Sequence, residues 1–170
     1  MVLLEATVLI KQEYHEVSNK DMDRDISYKL FEDSDQEYLL EMMFSLYGED
    51  PEGLEISEEK INSTINEYKN NPQKTNIWLL KKGIENVGYA LLVYCWSNEY
   101  GGNILIVDEL YVAKNHRGKG IATGFLKHIE TFENIVALKL ETTPSNKRAM
   151  EHYKKTGFTP SPNNHLIKNI

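Results

Sequence analysis

The run from Leu110 to Ala122, Leu-Tyr-Val-Ala-Lys-Asn-His-Arg-Gly-Lys-Gly-Ile-Ala, has the residue types and order that hold an anion. A hydrophobic stretch ends at Val112, a loop with two glycines follows, and the loop opens into an amphipathic segment of helical spacing. Gly118 and Gly120 allow backbone N–H groups to approach a ligand with no Cβ in the way. A helix starting after Gly120 adds unpaired N–H donors and the positive end of its dipole. Together these suit a pyrophosphate, and Arg117 and Lys119 add charge beside it. A plain glycine-basic surface turn has the same composition, so this string alone leaves both readings open. It is neither a Walker loop, since no Gly-Lys-Ser/Thr follows, nor the G-x-G-x-x-G fingerprint, since it reads Gly118-Lys119-Gly120-Ile121-Ala122-Thr123.

Other groups could do chemistry near this turn. Asp108 and Glu109 immediately precede Leu110, and strand alternation predicts that they face opposite ways. Each reads either as an acidic functional group or as a strand-end ion-pair partner. Asn146 stands where a helix should start and can cap it or reach a ligand carbonyl. Ala149 and Tyr153 lie four apart and share a helix face, with Tyr153 a donor phenol or a core ring. Glu49, Asp50 and Glu52 make the loop 47–53 acidic, either to meet a positive group or as a solvated surface. Tyr94, Trp96 and Tyr100 cluster near the end of one predicted strand, as pocket wall or core. Cys95 has no basic partner beside it in sequence and is assigned to packing.

The elements that must position these groups follow from periodicity. Ile26 to Phe31 reads as a strand. Asp33 to Tyr47 reads as a helix, with Leu39, Leu40, Met43 and Leu46 at helical spacing and Asp33 or Ser34 as cap. Ser57 caps a second helix to about Lys69, with Ile61 and Ile65 inward, stopped by Asn70-Asn71-Pro72. Strands follow over Asn76–Lys81, Val87–Trp96 and Ile104–Val112, joined at Lys82-Gly83 and Gly101-Gly102, hence antiparallel. A helix from Gly120 to about Phe132 carries Phe125, Leu126 and Ile129. A strand over Ile135–Thr142, a helix over Asn146–Thr156 ended by Gly157, and a last strand or hairpin from Phe158 through Leu166 to Ile170 complete the plan. The sum is an α+β domain with a mixed, mostly antiparallel sheet and helices on both faces. Residues 26–170 form one domain, and residues 1–25 form an extension that serves as extra strand, arm or tail.

Length and composition bound the function. The chain has 170 residues, 41% hydrophobic and 26% charged, which suits one soluble domain. A formal net charge of −7 argues against broad nucleic-acid binding, which needs a basic footprint, and leaves room for a cationic partner. A single cysteine excludes an internal disulfide framework, and the five histidines show no metal-ligand spacing. Val2–Ile10 is too short for a membrane span and lacks the flanks of a signal peptide. The expectation is a cytoplasmic protein without metal, nucleic-acid or membrane partners.

Arg117-Gly118-Lys119-Gly120-Ile121-Ala122, following Leu110-Tyr111-Val112, resembles the Q/R-x-x-G-x-G/A motif of the GNAT superfamily of N-acetyltransferases. Asn146 to Phe158 is similar to its second signature, N-x-x-A-x-x-x-Y-x-x-x-G-F, at every marked position. The resemblance covers Val87 to Phe158 well and Ile26 to Lys81 in its strand-helix-helix-strand plan. It implies a GNAT-like acyl-CoA N-acyltransferase fold and acetyl-CoA as cofactor. Gly118, Lys119, Gly120, Ile121, Ala122 and Thr123 would cradle the phosphates, with Arg117 alongside. The end of the preceding strand, Leu110-Tyr111-Val112, would bond the pantetheine arm, and Asn146 and Tyr153 would also meet the cofactor. Tyr153 would protonate the departing thiolate, whose pKa lies within about two units of a phenol's. Polyamine and aminoglycoside acetyltransferases of the superfamily often carry an acid matching Asp108, so Asp108, then Glu109, is the expected base or substrate contact. Glu49, Asp50 and Trp96 are further candidates to meet the acceptor. The acceptor implied is a primary amine on a small cationic molecule. A protein or peptide amine, or a catalytically silent CoA-binding protein, stands as the alternative, and superfamily members often form homodimers.

Overall fold

The computed structural model describes residues 25–49 and 54–169. The expectations for the N-terminal extension, and for Asp50 and Glu52, lie outside the described residues. The chain divides into two compact units, residues 1–140 and 141–170.

The first unit holds a five-stranded sheet in the order β1-β2-β3-β4-β5: Ile26–Leu30, Thr75–Lys82, Glu85–Ser97, Gly102–Val112 and Ile135–Leu140. Neighbours are antiparallel except β4 and β5. Tight turns at Gly83 (φ 58°) and Gly101 (φ 66°) return the chain directly. The parallel β4–β5 pair needs a crossover, and the helix Ile121–Ile129 supplies it. This is the mixed, mostly antiparallel α+β arrangement expected.

Alternation along β2 sorts the core. Ile77 and Leu79 join Tyr89, Leu91 and Tyr111 in one cluster. It is covered by Leu39, Met42 and Met43 of α1 (Gln36–Glu49) and by Ile61 and Ile65 of α2 (Glu58–Asn70). Trp78, between them on the strand, turns to the other face. There its ring lies 6.3 Å from Phe125 of α3 (Ile121–Ile129), 5.5 Å from His128 and 5.7 Å from Phe132. Helices therefore cover both faces. Ser57 caps α2 by accepting from the Lys60 N–H at 3.3 Å, as its sequence predicts. The first helix starts differently from expectation. A 310 turn over Asp33–Asp35 precedes it, and the Asp35 carboxylate, not Asp33 or Ser34, accepts the Glu32 N–H at 3.1 Å.

One irregularity sets up the site. Leu91 pairs with Glu109, but Leu92 pairs with Val107, so Asp108 is an extra residue in β4. Such a bulge bends its strand and leaves one residue out of the ladder. It also shifts the pleat. Val107 pairs with Leu92, whereas Glu109 and Tyr111 pair with Leu91 and Tyr89, on the α1/α2 face. The β4–β5 pairing ends at Val107 with Leu140, and β4 runs on to Val112 without it.

In the second unit, α4 spans Lys147–Lys155 and its N-cap Asn146 accepts the Ala149 N–H at 3.1 Å. Residues 158–169 carry neither helix nor strand, contrary to the expected terminal strand or hairpin. Pro160 and Pro162 remove ladder donors there. Cys95 is exposed rather than packed, because β3 extends past the covered part of the sheet. No described helix is long and apolar enough to cross a membrane.

Candidate active site

β4 leads through a short 310 turn, Lys114–His116, into the glycine loop and then α3. The turn is anchored by His116, which is buried and has Nε2 3.3 Å from Glu85 Oε1. Gly118 and Gly120 take φ of 77° and 78°, backbone that an L side chain rarely adopts. A Cβ on Gly118 would meet nothing within 4 Å, so that face of the loop is open. α3 begins at Gly120 with no side-chain cap. The donors of its first turn are thus left for a ligand or water. A glycine-lined, uncapped helix start beside Arg117 and Lys119 fits a diphosphate by donor chemistry and charge sign. Ile121 could offer a ligand its backbone alone, since its side chain is buried in the core. Ala122 and Thr123 are half-buried and Lys119 is exposed.

Arg117 is the fastener of this loop. Its Nε donates to the Val112 carbonyl at 2.7 Å, tying the loop back onto the end of β4. Its two terminal nitrogens meet the two oxygens of Glu49 at 2.8 and 2.9 Å. The guanidinium lies over the Tyr111 ring, 5.5 Å from its centroid. Hydrogen bonding to Glu49 raises the Arg117 pKa further. Lys114 stands 3.8 Å from the same Glu49 carboxylate. Glu49, a sequence candidate for acceptor recognition, is therefore paired with two cations of the glycine-loop region. Tyr111 faces the core rather than open space.

The backbone of β4 is polarised by its partners. The Ala113 N–H donates to the Val87 carbonyl of β3 at 2.9 Å. Alternation then turns the N–H groups of Leu110 and Val112 away from β3, toward the side from which β5 has departed. No β5 residue pairs with either. Both candidates for an extended ligand arm thus sit where the sheet has opened.

Glu109 lies on the α1/α2 face of β4, and its carboxylate is held by two phenols. Tyr47, in the last turn of α1, donates to its Oε1 at 2.7 Å, and Tyr89 of β3 donates to its Oε2 at 2.7 Å. Burial holds the Glu109 carboxyl above the ordinary range, the two phenols pull it back, and the Asp108 charge pushes it up again. Burial and the carboxylate keep both phenols well above their usual values, so they remain donors. Asp108 is exposed, yet its charge is felt at Tyr47 as well as Glu109. The expected division of Asp108 and Glu109 between opposite faces assumed a regular pleat, which the bulge removes. Trp96 lies elsewhere. It is exposed and five residues along β3 from Leu91, about 17 Å at 3.3 Å per residue. Tyr94 donates to Asn76 at 2.9 Å, and Tyr100 is exposed.

Three residues of this region were not singled out by sequence. Tyr47 and Tyr89 carry no motif, and only their contacts reveal them. Gly88 had a signal, a glycine inside a strand, which marks close approach of another backbone. A Cβ there would stand 2.3 Å from the Tyr111 carbonyl oxygen.

In the C-terminal unit, the Y-x-x-x-G-F end of the second motif has a local explanation. The Phe158 N–H bonds the Tyr153 carbonyl at 3.0 Å and the Gly157 N–H bonds that of Lys154 at 3.2 Å, with Gly157 at φ 99°. This is a Schellman helix stop, and its hydrophobic contact is the edge-on Tyr153–Phe158 pair, 5.8 Å apart. The ring of Tyr153 therefore packs within the helix stop, a contact that does not use its hydroxyl. Burial holds that phenol above its ordinary value.

Among the described residues no cluster of side chains could hold a metal ion. A bovine (Bos taurus) thialysine N-epsilon-acetyltransferase is 35% identical over 74 residues, which is 42% of this chain and 43% of that protein. The match thus spans less than half the length of that relative. A solved structure described as a possible acetyltransferase from Clostridium difficile 630 superposes with a TM-score of 0.75 at 21% identity, covering 86% of this chain and 98% of the other. An aminoglycoside acetyltransferase from an uncultured soil metagenomic sample, in complex with trehalose, superposes at 0.67 with 12% identity, covering 87% and 98%. Both likenesses are of fold. Residues 27–158 match the acetyltransferase (GNAT) family, and the chain belongs to that family.

Proposed function

We propose that this protein transfers the acetyl group of acetyl-CoA to a primary amine on a small cationic molecule, by direct attack with both substrates bound. The observation that carries the reading is the continuity of the site in one stretch of chain. The half-buried, hydrogen-bonded Glu109, the outward amides of Leu110 and Val112, and the uncapped glycine loop follow one another in order. The bound thioester supplies an activated acetyl group. The first-turn amides of α3 would hold its phosphates, and the Leu110 and Val112 amides would align the arm and polarise the carbonyl. Glu109, with Asp108 beside it, would attract the ammonium and take its proton directly or through water. Tyr153 is assigned the acid's role on the match of its motif. The similarity to a thialysine acetyltransferase supports an amine of this kind.

The test is an amine panel, spanning polyamines, thialysine and lysine analogues, aminoglycosides and peptides, followed by thiol release. Turnover on small diamines and not peptides is the expected result. CoA binding with no transfer to any amine would favour a silent CoA-binding protein instead. Tyr153→Phe keeps the helix-stopping ring and removes only the hydroxyl. Turnover should fall at least tenfold with CoA affinity retained, and unchanged turnover would remove Tyr153 from the mechanism.

A further inference from the structure

We infer that Tyr47 and Tyr89 are positioning residues for the Glu109 carboxylate, one phenol to each oxygen, and that they hold it as an oriented anion for the acceptor amine. The inference rests on the reading that Glu109 meets that amine, and it adds residues no motif supplies. Each phenol has a single hydrogen to donate, and both are committed to Glu109 at 2.7 Å. A carboxylate offers about four acceptor sites, so two remain for an ammonium in a direction the phenols fix. The two holders differ in kind. Tyr89 is fully buried in the sheet and tilts against Tyr111 at 6.0 Å, so it is a rigid post. Tyr47 comes from the last turn of α1, whose Glu49 is gripped by Arg117. The carboxylate is thus fixed from the sheet and from a helix end that is itself tied to the glycine loop.

The groups acting on Glu109 are Tyr47 from α1, Tyr89 from β3 and Asp108 on its own strand. Burial and Asp108 oppose its negative charge, while the two phenols favour it. Removing a phenol should therefore let Glu109 bind a proton at higher pH. A purely structural tyrosine would not move that titration.

The experiment is a 13C NMR titration of the Glu109 side-chain carboxyl in the ligand-free protein, for wild type, Tyr47→Phe and Tyr89→Phe. Each variant should shift the titration upward by about one pH unit, the scale of one charge-assisted hydrogen bond. The acid limb of kcat/KM should move upward with it. Tyr47 sits at a helix end, so Tyr47→Phe keeps the test open if Tyr89→Phe unfolds. A titration of Tyr47→Phe that coincides with wild type overturns the inference. Glu109→Gln separates the two claims. Full activity in that variant would sink Glu109 as the acceptor contact, whereas loss of its activity beside an unmoved Tyr47→Phe titration would sink only the positioning role.

Discussion

Gly88→Ala adds one methyl group at a point where two effects compete. Replacing glycine within a strand by alanine ordinarily stabilises by about 0.5–1 kcal/mol, through the unfolded chain. Here the new Cβ would stand 2.3 Å from the Tyr111 carbonyl oxygen, 3.2 Å from Val112 Cα and 3.3 Å from the Tyr111 carbonyl carbon. All three are backbone atoms at the paired end of β4, so no side chain can rotate away. Reaching ordinary contact requires β3 and β4 to part by about 1 Å, and overpacking of this kind costs about 1–3 kcal/mol. The clash should win. At about 2–4 °C per kcal/mol for a domain of this size, the melting temperature should fall by up to about 10 °C. The strand that moves carries the Leu110 and Val112 amides, and a 1 Å misplacement of catalytic groups is worth on the order of 10²-fold. Differential scanning fluorimetry and kcat/KM on the best amine of the panel measure both effects. A melting temperature at or above wild type, with full activity, would refute the close approach of these strands and the reasoning built on it.

Two further perturbations test the packing and the loop. Burial lowers the pKa of His128, whose Nε2 has no hydrogen-bond partner in its ring of Tyr28, Trp78, Phe125 and Phe132. Its folded pKa lies below its unfolded one, so its contribution is full above about pH 6.5 and is lost as pH falls, by at most about 1.4 kcal/mol per pH unit. His128→Phe should flatten this acid-side loss in urea denaturation at pH 7.5 and 5.5, and identical pH dependence in both proteins would contradict it. The Arg117–Glu49 pair is two-pronged but about a quarter exposed on each side, so a double-mutant cycle of Arg117→Gln and Glu49→Gln should give a coupling near 1 kcal/mol. Additive effects of the two substitutions would remove the pair as the loop's fastener.

Much of this architecture was legible because its signals are local. Ser57 capping α2, the inward Ile61 and Ile65, the strand limits and the glycine loop each depend on a few adjacent residues. The Y-x-x-x-G-F motif was also legible, and its helix-stop geometry gives part of the physical reason for it. The misses around the candidate site come from contact between residues distant in sequence. Tyr47 and Glu109 are separated by 62 positions, and Glu49 and Arg117 by 68. No spacing rule connects them. The bulge at Asp108 is a mismatch between two strands and is invisible in either strand alone. Terminal residues misled in the opposite way. Leu166 and Ile167 have strand-like composition, yet they are exposed and lie outside any ladder.

The extra residue in β4 also makes the chemistry of the strand a matter of counting parity. Every side chain from Glu109 to Val112 is assigned to its face by whether the residues before it number odd or even. A deletion of Asp108 would leave composition, charge pattern and the glycine loop almost intact. It would also remove the bulge, bringing Val107 and Glu109 into consecutive pairing with Leu92 and Leu91, so Glu109 would keep its face and both phenols. Deleting Leu110 instead, where no residue is spare, would put Tyr111 opposite Ala90 and Val112 opposite Tyr89, exchanging the two faces of the strand's end. Loss of one residue between Glu109 and Val112 is therefore a sharper warning of a disturbed strand end than loss of the bulge residue or a substitution at the same positions.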